Sequence, residues 1–158
     1  MIVYRISKND HATLDGIGGL YGPGRWHKKG NLVTYASEQA SLAAWEEIVH
    51  ISSFENLPEN LQLVKIEIPD DIDIQTLPES VLVKGWDSFP FCSETVNYGT
   101  EFLRTKVNLA LRVPSAIIKE EFNIILNSLH PDIHRCRVIS SVAFNFDERI
   151  LSPGPTSS

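Results

Sequence analysis

Six of the nine glycines lie within residues 16–30, at Gly16, Gly18, Gly19, Gly22, Gly24 and Gly30. Glycine lets backbone turn sharply and come close to a ligand, so 7–31 reads as a loop held by these glycines and Pro23. Directly after it, 32–36 is β-branched and aromatic and reads as a strand. Ser37 then stands as a helix N-cap with Glu38 in the first turn, where an acid suits the helix dipole, and the helix is expected to run to residue 51. Residues 16–50 therefore offer Arg25, Tyr35 and Glu46 in order, from loop, strand and helix. A cation in a glycine-rich loop, followed by an aromatic ring and a carboxylate, suits an anionic substrate with a planar ring and a bond to be broken.

The rest of the pattern predicts one α/β (α+β) domain with a central mixed sheet and flanking helices. Strands are expected at 2–6, 61–68, 72–74, 108–113, 117–118, 124–126 and 138–144. A second helix is expected at 94–106, capped by Ser93. The domain spans 1–151, and the Pro- and Ser-rich tail 152–158 reads as disordered. At 158 residues and 42% apolar composition the chain is long enough for a real core. Its net charge of −6, without a basic cluster, disfavours direct nucleic-acid binding. Cys92 and Cys136 match no zinc spacing and read as isolated thiols of a reducing compartment. No signal-peptide pattern opens the chain, and no apolar run reaches the roughly 20 residues that span a bilayer, so a cytoplasmic location is expected.

Helix geometry gives the sharpest local expectation. At about 100° per residue, Leu42, Trp45 and Val49 share a narrow apolar face, and Glu46 falls about 40° from Leu42. Glu46 is therefore expected partly buried and Glu47 exposed. A buried carboxylate needs a partner, and His50, one turn on, is the nearest in sequence. Arg25 carries the planar fork that binds phosphate, although a surface loop arginine is the plainer reading of a lone Gly-x-Gly-Arg. Arg5 sits mid-strand, either lining the same pocket or facing solvent from an edge. Ser115 follows a strand and a proline, with no nucleophile elbow around it. His130 and His134 are separated by Pro131 and read as turn residues, so no metal site is expected.

Taken together, the segments resemble the RES-domain toxin family, named for its arginine, glutamate and serine. Its motifs are matched by Tyr4-Arg5-Ile6, Pro23-Gly24-Arg25-Trp26-His27, Val33-Thr34-Tyr35-Ala36-Ser37, the Glu46 to His50 spacing, Gly85-Trp86-Asp87, Val113-Pro114-Ser115, Asn123-x-x-x-Asn127 and His130-Pro131-Asp132. Two positions depart: His27 stands where the family has asparagine, and Gly99-Thr100 where it has Gly-Asp. The resemblance implies a fold similar to ADP-ribosyltransferases and a toxin that consumes NAD at the nicotinamide–ribose bond, by hydrolysis or phosphorolysis. NAD would be substrate rather than cofactor, with inorganic phosphate as an alternative co-substrate. It implies an Xre-like antitoxin covering the active site, and a dimer or an assembly with that antitoxin.

On that basis Glu46 would stabilise the oxocarbenium-like ribosyl centre or hold a ribose hydroxyl. Arg25 and Arg5 would bind the pyrophosphate, and Tyr35 would flank the nicotinamide ring. Ser115 would hydrogen-bond nicotinamide or ribose, Trp26 and Asn123 would join the NAD site, and His50 would orient Glu46. Two other readings use the same pocket: a protein-directed ADP-ribosyltransferase, and a non-catalytic NAD-binding module.

Overall fold

The computed structural model describes residues 1–8, 12–51 and 56–150. The boundary at 151 and the tail 152–158 lie outside the described residues. Among the described residues, seven strands form one sheet: β1 (Ile2–Lys8), β2 (Val33–Ser37), β3 (Leu61–Glu67), β4 (Ile74–Thr76), β5 (Ala110–Pro114), β6 (Phe122–Asn127) and β7 (Arg137–Ala143). Their order is β4-β5-β6-β2-β1-β3-β7, antiparallel except for the parallel β4–β5 pair. The sheet is mixed, as the pattern predicts. Helices α1 (Ala40–Ile48) and α2 (Ser93–Thr105) flank it.

Alternation along the strands builds a core on each face. Ile124, Leu126, Ala36, Val3 and Ile66 pack into one cluster. Ile125, Val33, Leu111 and Val113 pack into another, with Trp26, Phe102 and Leu103. Alternation does not give strand order, and here the order matters. β1 is interior, between β2 and β3, so Arg5 is not an edge-strand residue. β1 pairs with β3 along its whole length, from Ile2↔Glu67 to Lys8↔Leu61. With β2 it shares only Tyr4↔Ser37. The two strands part beyond that point and the sheet is split.

Several local expectations are corrected. Ser37 is not an N-cap: it ends β2, buried, and Gln39 holds the cap position without a side-chain cap bond. Glu38 lies before the helix and pairs with Arg112. α1 stops at Ile48, short of residue 51. Ser93 is the first residue of α2, with Cys92 at its cap. The short strand near 72–74 forms instead at Ile74–Thr76. Ile117 and Ile118 form no strand; they turn over the Ser115 hydroxyl, which takes both of their N–H groups. Cys92 and Cys136 are free thiols.

Helix α2 anchors the glycine-rich loop from the side. A Cβ at Gly99 would stand 2.0 Å from the backbone oxygen of Trp26, so helix and loop touch backbone to backbone. The neighbouring Thr100 hydroxyl accepts the Lys28 N–H at 3.0 Å. Gly99-Thr100 therefore fixes the loop that presents Arg25.

Candidate active site

Where β1 and β2 part, a cleft of about 380 Å³ opens. Tyr4, Arg5 and Ile6 line it from one strand, and Tyr35, Ala36 and Ser37 from the other. The loop contributes Gly24, Arg25 and Trp26, and α1 contributes Glu46 and Glu47. Arg5, Arg25, Tyr35 and Glu46, drawn from separate segments of the chain, share this one cavity.

Glu46 is half-buried, and its carboxylate is tethered on one side only. Its Oε1 accepts from the Ser115 hydroxyl at 2.8 Å and from Asn123 Nδ2 at 2.5 Å. The Asn123 carbonyl oxygen in turn accepts from the Ser37 hydroxyl at 2.6 Å. Among the described residues no hydrogen bond reaches Oε2, so that oxygen remains available to a ligand. These partners bear on two expectations. Ser115 has 0% exposure and donates its only hydroxyl proton to Glu46. Its hydroxyl proton is committed to the acid, and Ser115 is not among the residues that line the cleft. His50 lines the cleft but makes no hydrogen bond to Glu46.

Tyr35 is fixed at its hydroxyl. That oxygen accepts the Trp26 N–H at 3.2 Å and lies 2.7 Å from His27 Nδ1. His27 Nε2 faces the Gly22 carbonyl at 3.0 Å. A carbonyl only accepts, so Nε2 carries the ring proton and Nδ1 takes the proton of Tyr35. Burial pushes the phenol pKa well above its usual range and lowers that of His27. A neutral histidine thus holds a neutral tyrosine ring against the cleft. Gly24 makes room for the pair: a Cβ there would meet the Tyr35 hydroxyl at 2.8 Å. Trp26 has its side chain in the core, tilted against Trp86 with ring centroids 6.3 Å apart. Its contribution to the site is chiefly its N–H.

Arg25 spends one nitrogen on the scaffold. Its Nη1 donates to the carbonyls of Trp86 at 2.6 Å and Ser88 at 3.0 Å. The guanidinium lies 5.1 Å from the Phe91 ring centroid and 6.0 Å from that of Trp86. Among the described residues the rest of the fork makes no hydrogen bond. Burial lowers the Arg25 pKa, and Glu46 and then Asp87 oppose that shift; the guanidinium remains charged. Lys119 pairs with Asp87 and lies 5.2 Å from the Trp86 ring. Arg5 donates to the Thr13 carbonyl at 3.3 Å, and burial lowers its pKa against the fields of Asp15 and Glu47.

Glu47 is the largest departure from the sequence reading. It is half-buried and lines the cleft, not the solvent face. Burial raises its pKa, opposed by His50, Arg5 and Lys8. The buried face of α1 centres on Ala43, at about 100° from Leu42, with Glu46 and Glu47 at about 40° and 140° on either side of it. Trp45 is 48% and Val49 52% exposed. They belong to the outer face, so an apolar arc centred on them points the wrong way.

Phe91 also lines the cleft, and no sequence signal marked it, because residues 77–93 carry no periodicity. Ser37 was masked by its resemblance to a cap. Among the described residues no three His, Cys, Asp or Glu side chains gather as a metal set. His130 is the N-cap of a short 3-10 helix, Pro131–Arg135, its Nδ1 accepting the Asp132 N–H, and His134, within that helix, faces the Pro131 carbonyl through Nδ1.

A split sheet that brings a half-tethered carboxylate, a guanidinium and a fixed phenol to one cleft defines an α/β domain with a built polar pocket. The RES domain profile matches residues 2–147, and the chain belongs to the RES-domain toxin family. It is 37% identical over 139 residues to "Toxin Res" of Pseudomonas putida (strain KT2440), covering 87% of this chain and 92% of that protein. It is 34% identical over 153 residues to "Toxin Res" of Yersinia enterocolitica, covering 95% and 99%. The "Prs ADP-ribosylating toxin" of Sphingobium sp. is 31% identical over 140 residues, covering 87% and 86%. In structure the chain resembles one in the Mycobacterium tuberculosis MbcT–MbcA toxin–antitoxin complex, with a TM-score of 0.71 over 90% of this chain and 83% of that one. At 16% identity that likeness bears on the fold. No helix among the described residues is long and apolar enough to cross a membrane.

Proposed function

We propose that this protein is the toxin of a toxin–antitoxin pair and that it destroys NAD by cleaving the nicotinamide–ribose bond. The observation that carries the reading is Glu46: a carboxylate anchored through one oxygen, the other without a hydrogen bond among the described residues, on the wall of a cleft also lined by Arg25, Arg5 and Tyr35. Nicotinamide is already a cationic leaving group, so the bond needs no strong general acid. What needs stabilising is the positive charge that grows on the ribose as the bond opens. A pre-set carboxylate in a water-poor cleft supplies that stabilisation without reorganising. Glu46 takes this role, and Ser115 and Asn123 hold it in position. The uncommitted part of the Arg25 fork, with Arg5, binds the pyrophosphate and fixes register. Tyr35 offers a ring face to the nicotinamide.

Water or inorganic phosphate accepts the ribosyl group. A second reading, transfer to a protein side chain, is favoured by the name of the Sphingobium relative, an ADP-ribosylating toxin. NAD labelled in its adenylate half separates the two. Free ADP-ribose or its phosphate is expected; label accumulating covalently on added protein would favour transfer, and intact NAD would overturn both. The likeness to a chain of a toxin–antitoxin complex supports an antitoxin partner. We expect an Xre-like protein that covers the cleft, with any dimer forming inside that complex, and its addition is expected to stop NAD loss.

A further inference from the structure

Glu47 is the charged group in the cleft that the reading above leaves unused. It follows Glu46 directly, and adjacent helical residues point about 100° apart. The two carboxylates therefore stand on different walls. Glu46 reaches the Ser115 and Asn123 side. Glu47 reaches the β1 side, where Arg5 and Lys8 face it, with His50 beyond it on its own segment and Glu46 before it. Unlike Glu46, Glu47 has no hydrogen bond or ion pair to hold its carboxylate among the described residues. A half-buried, unpaired carboxylate costs stability, and a group of this kind in a cleft is a candidate for proton transfer.

We propose that Glu47 is the general base that activates water, and so determines how much of the reaction is hydrolysis. The inference rests on the NAD reading of the cleft. In the step, the water oxygen forms a bond to the ribose anomeric carbon while the carbon–nitrogen bond breaks. The electron pair of that bond leaves with nicotinamide, which becomes neutral. The water proton passes to the Glu47 carboxylate and then to solvent. The products are nicotinamide, ADP-ribose and one proton. Phosphate dianion attacks through an oxygen that has no proton to lose, so phosphorolysis does not need Glu47. A negative side chain at that wall would also oppose a second anion.

The test compares wild-type protein, Glu47→Gln and Glu47→Ala with NAD, in phosphate-free buffer and with added inorganic phosphate. ADP-ribose and its phosphorylated form are separated by chromatography, and NAD affinity is measured in parallel. Glu47→Gln should lower kcat for ADP-ribose formation by on the order of 10²-fold or more, with NAD affinity and formation of the phosphorylated product kept. Added formate should restore part of the hydrolysis in Glu47→Ala. If wild type makes no phosphorylated product, retained NAD affinity serves as that control. Hydrolysis by Glu47→Gln at the wild-type rate would overturn the inference alone. Parallel loss of hydrolysis, phosphorolysis and NAD affinity would also overturn it, marking a structural role. Failure of the wild type to release nicotinamide would overturn the NAD reading, and this inference with it.

Discussion

The two oxygens of Glu46 differ: Oε1 is anchored by Ser115 and Asn123, and Oε2 takes no hydrogen bond among the described residues. Ser115→Ala removes one anchor and leaves the N–H groups of Ile117 and Ile118 without their acceptor. Loss of stability of about 1–3 kcal/mol is expected. NAD turnover should fall about tenfold, the rate equivalent of about 1.4 kcal/mol, while the KM for NAD changes little. Calorimetry and steady-state kinetics check this; a raised KM with unchanged kcat would mean that Ser115 touches substrate after all. Arg25→Lys keeps the charge but loses the fork shared between the Trp86 and Ser88 carbonyls and a ligand. It should weaken NAD binding by about tenfold or more, measured by calorimetric titration; wild-type affinity would show that a point charge is enough there. That Arg25, Tyr35 and Glu46 share one cleft was legible in the sequence, because they follow one another on the loop, strand and helix that close it. Glu47 was not, because Trp45 and Val49 look like core residues and misdirect the apolar arc.

At the scale of elements, the contact between α2 and the loop is the most sensitive joint. Gly99→Ala drives a Cβ onto the Trp26 carbonyl oxygen. A cost of about 1–3 kcal/mol follows, which lowers Tm by about 2–4 °C per kcal/mol for a chain of this size. Activity should fall with it, because the same movement displaces Arg25. Gly22→Ala, where a Cβ meets nothing within 4 Å, should leave stability within about 0.5 kcal/mol of wild type. Scanning calorimetry on the two variants checks the contrast, and equal effects would mean that the loop is not held by the helix. The strands were readable from alternation, as in β3, where Val64 and Ile66, with Ile68 just beyond the strand, are buried on one face. The split between β1 and β2 was not, because a one-pair register depends on how distant segments pair and leaves no periodic trace.

For the whole molecule, two groups make stability depend on pH with opposite signs. Burial lowers the His27 pKa. As pH falls through the ordinary histidine value of about 6.5, the unfolded chain takes up that proton first, so folding stability is lost toward acid. Burial raises the Glu47 pKa. As pH rises above the ordinary carboxylate range, the unfolded chain releases that proton first, so stability is lost toward neutral pH. Glu47→Gln should therefore be more stable than wild type at pH 7, with the advantage gone at pH 4. Thermal unfolding across that range checks it, and a destabilised variant at pH 7 would contradict the raised pKa.

The claim beneath all of this is that the Glu46 carboxylate, in the cleft it shares with Arg25 and Tyr35, breaks the nicotinamide–ribose bond. Proton NMR of NAD mixed with wild-type protein or Glu46→Gln, followed over time at one pH, tests it directly. The wild type should release free nicotinamide, while Glu46→Gln should bind NAD yet release it at least 10²-fold more slowly, the size expected when one pre-set electrostatic group is lost. Equal release by both proteins would contradict the account.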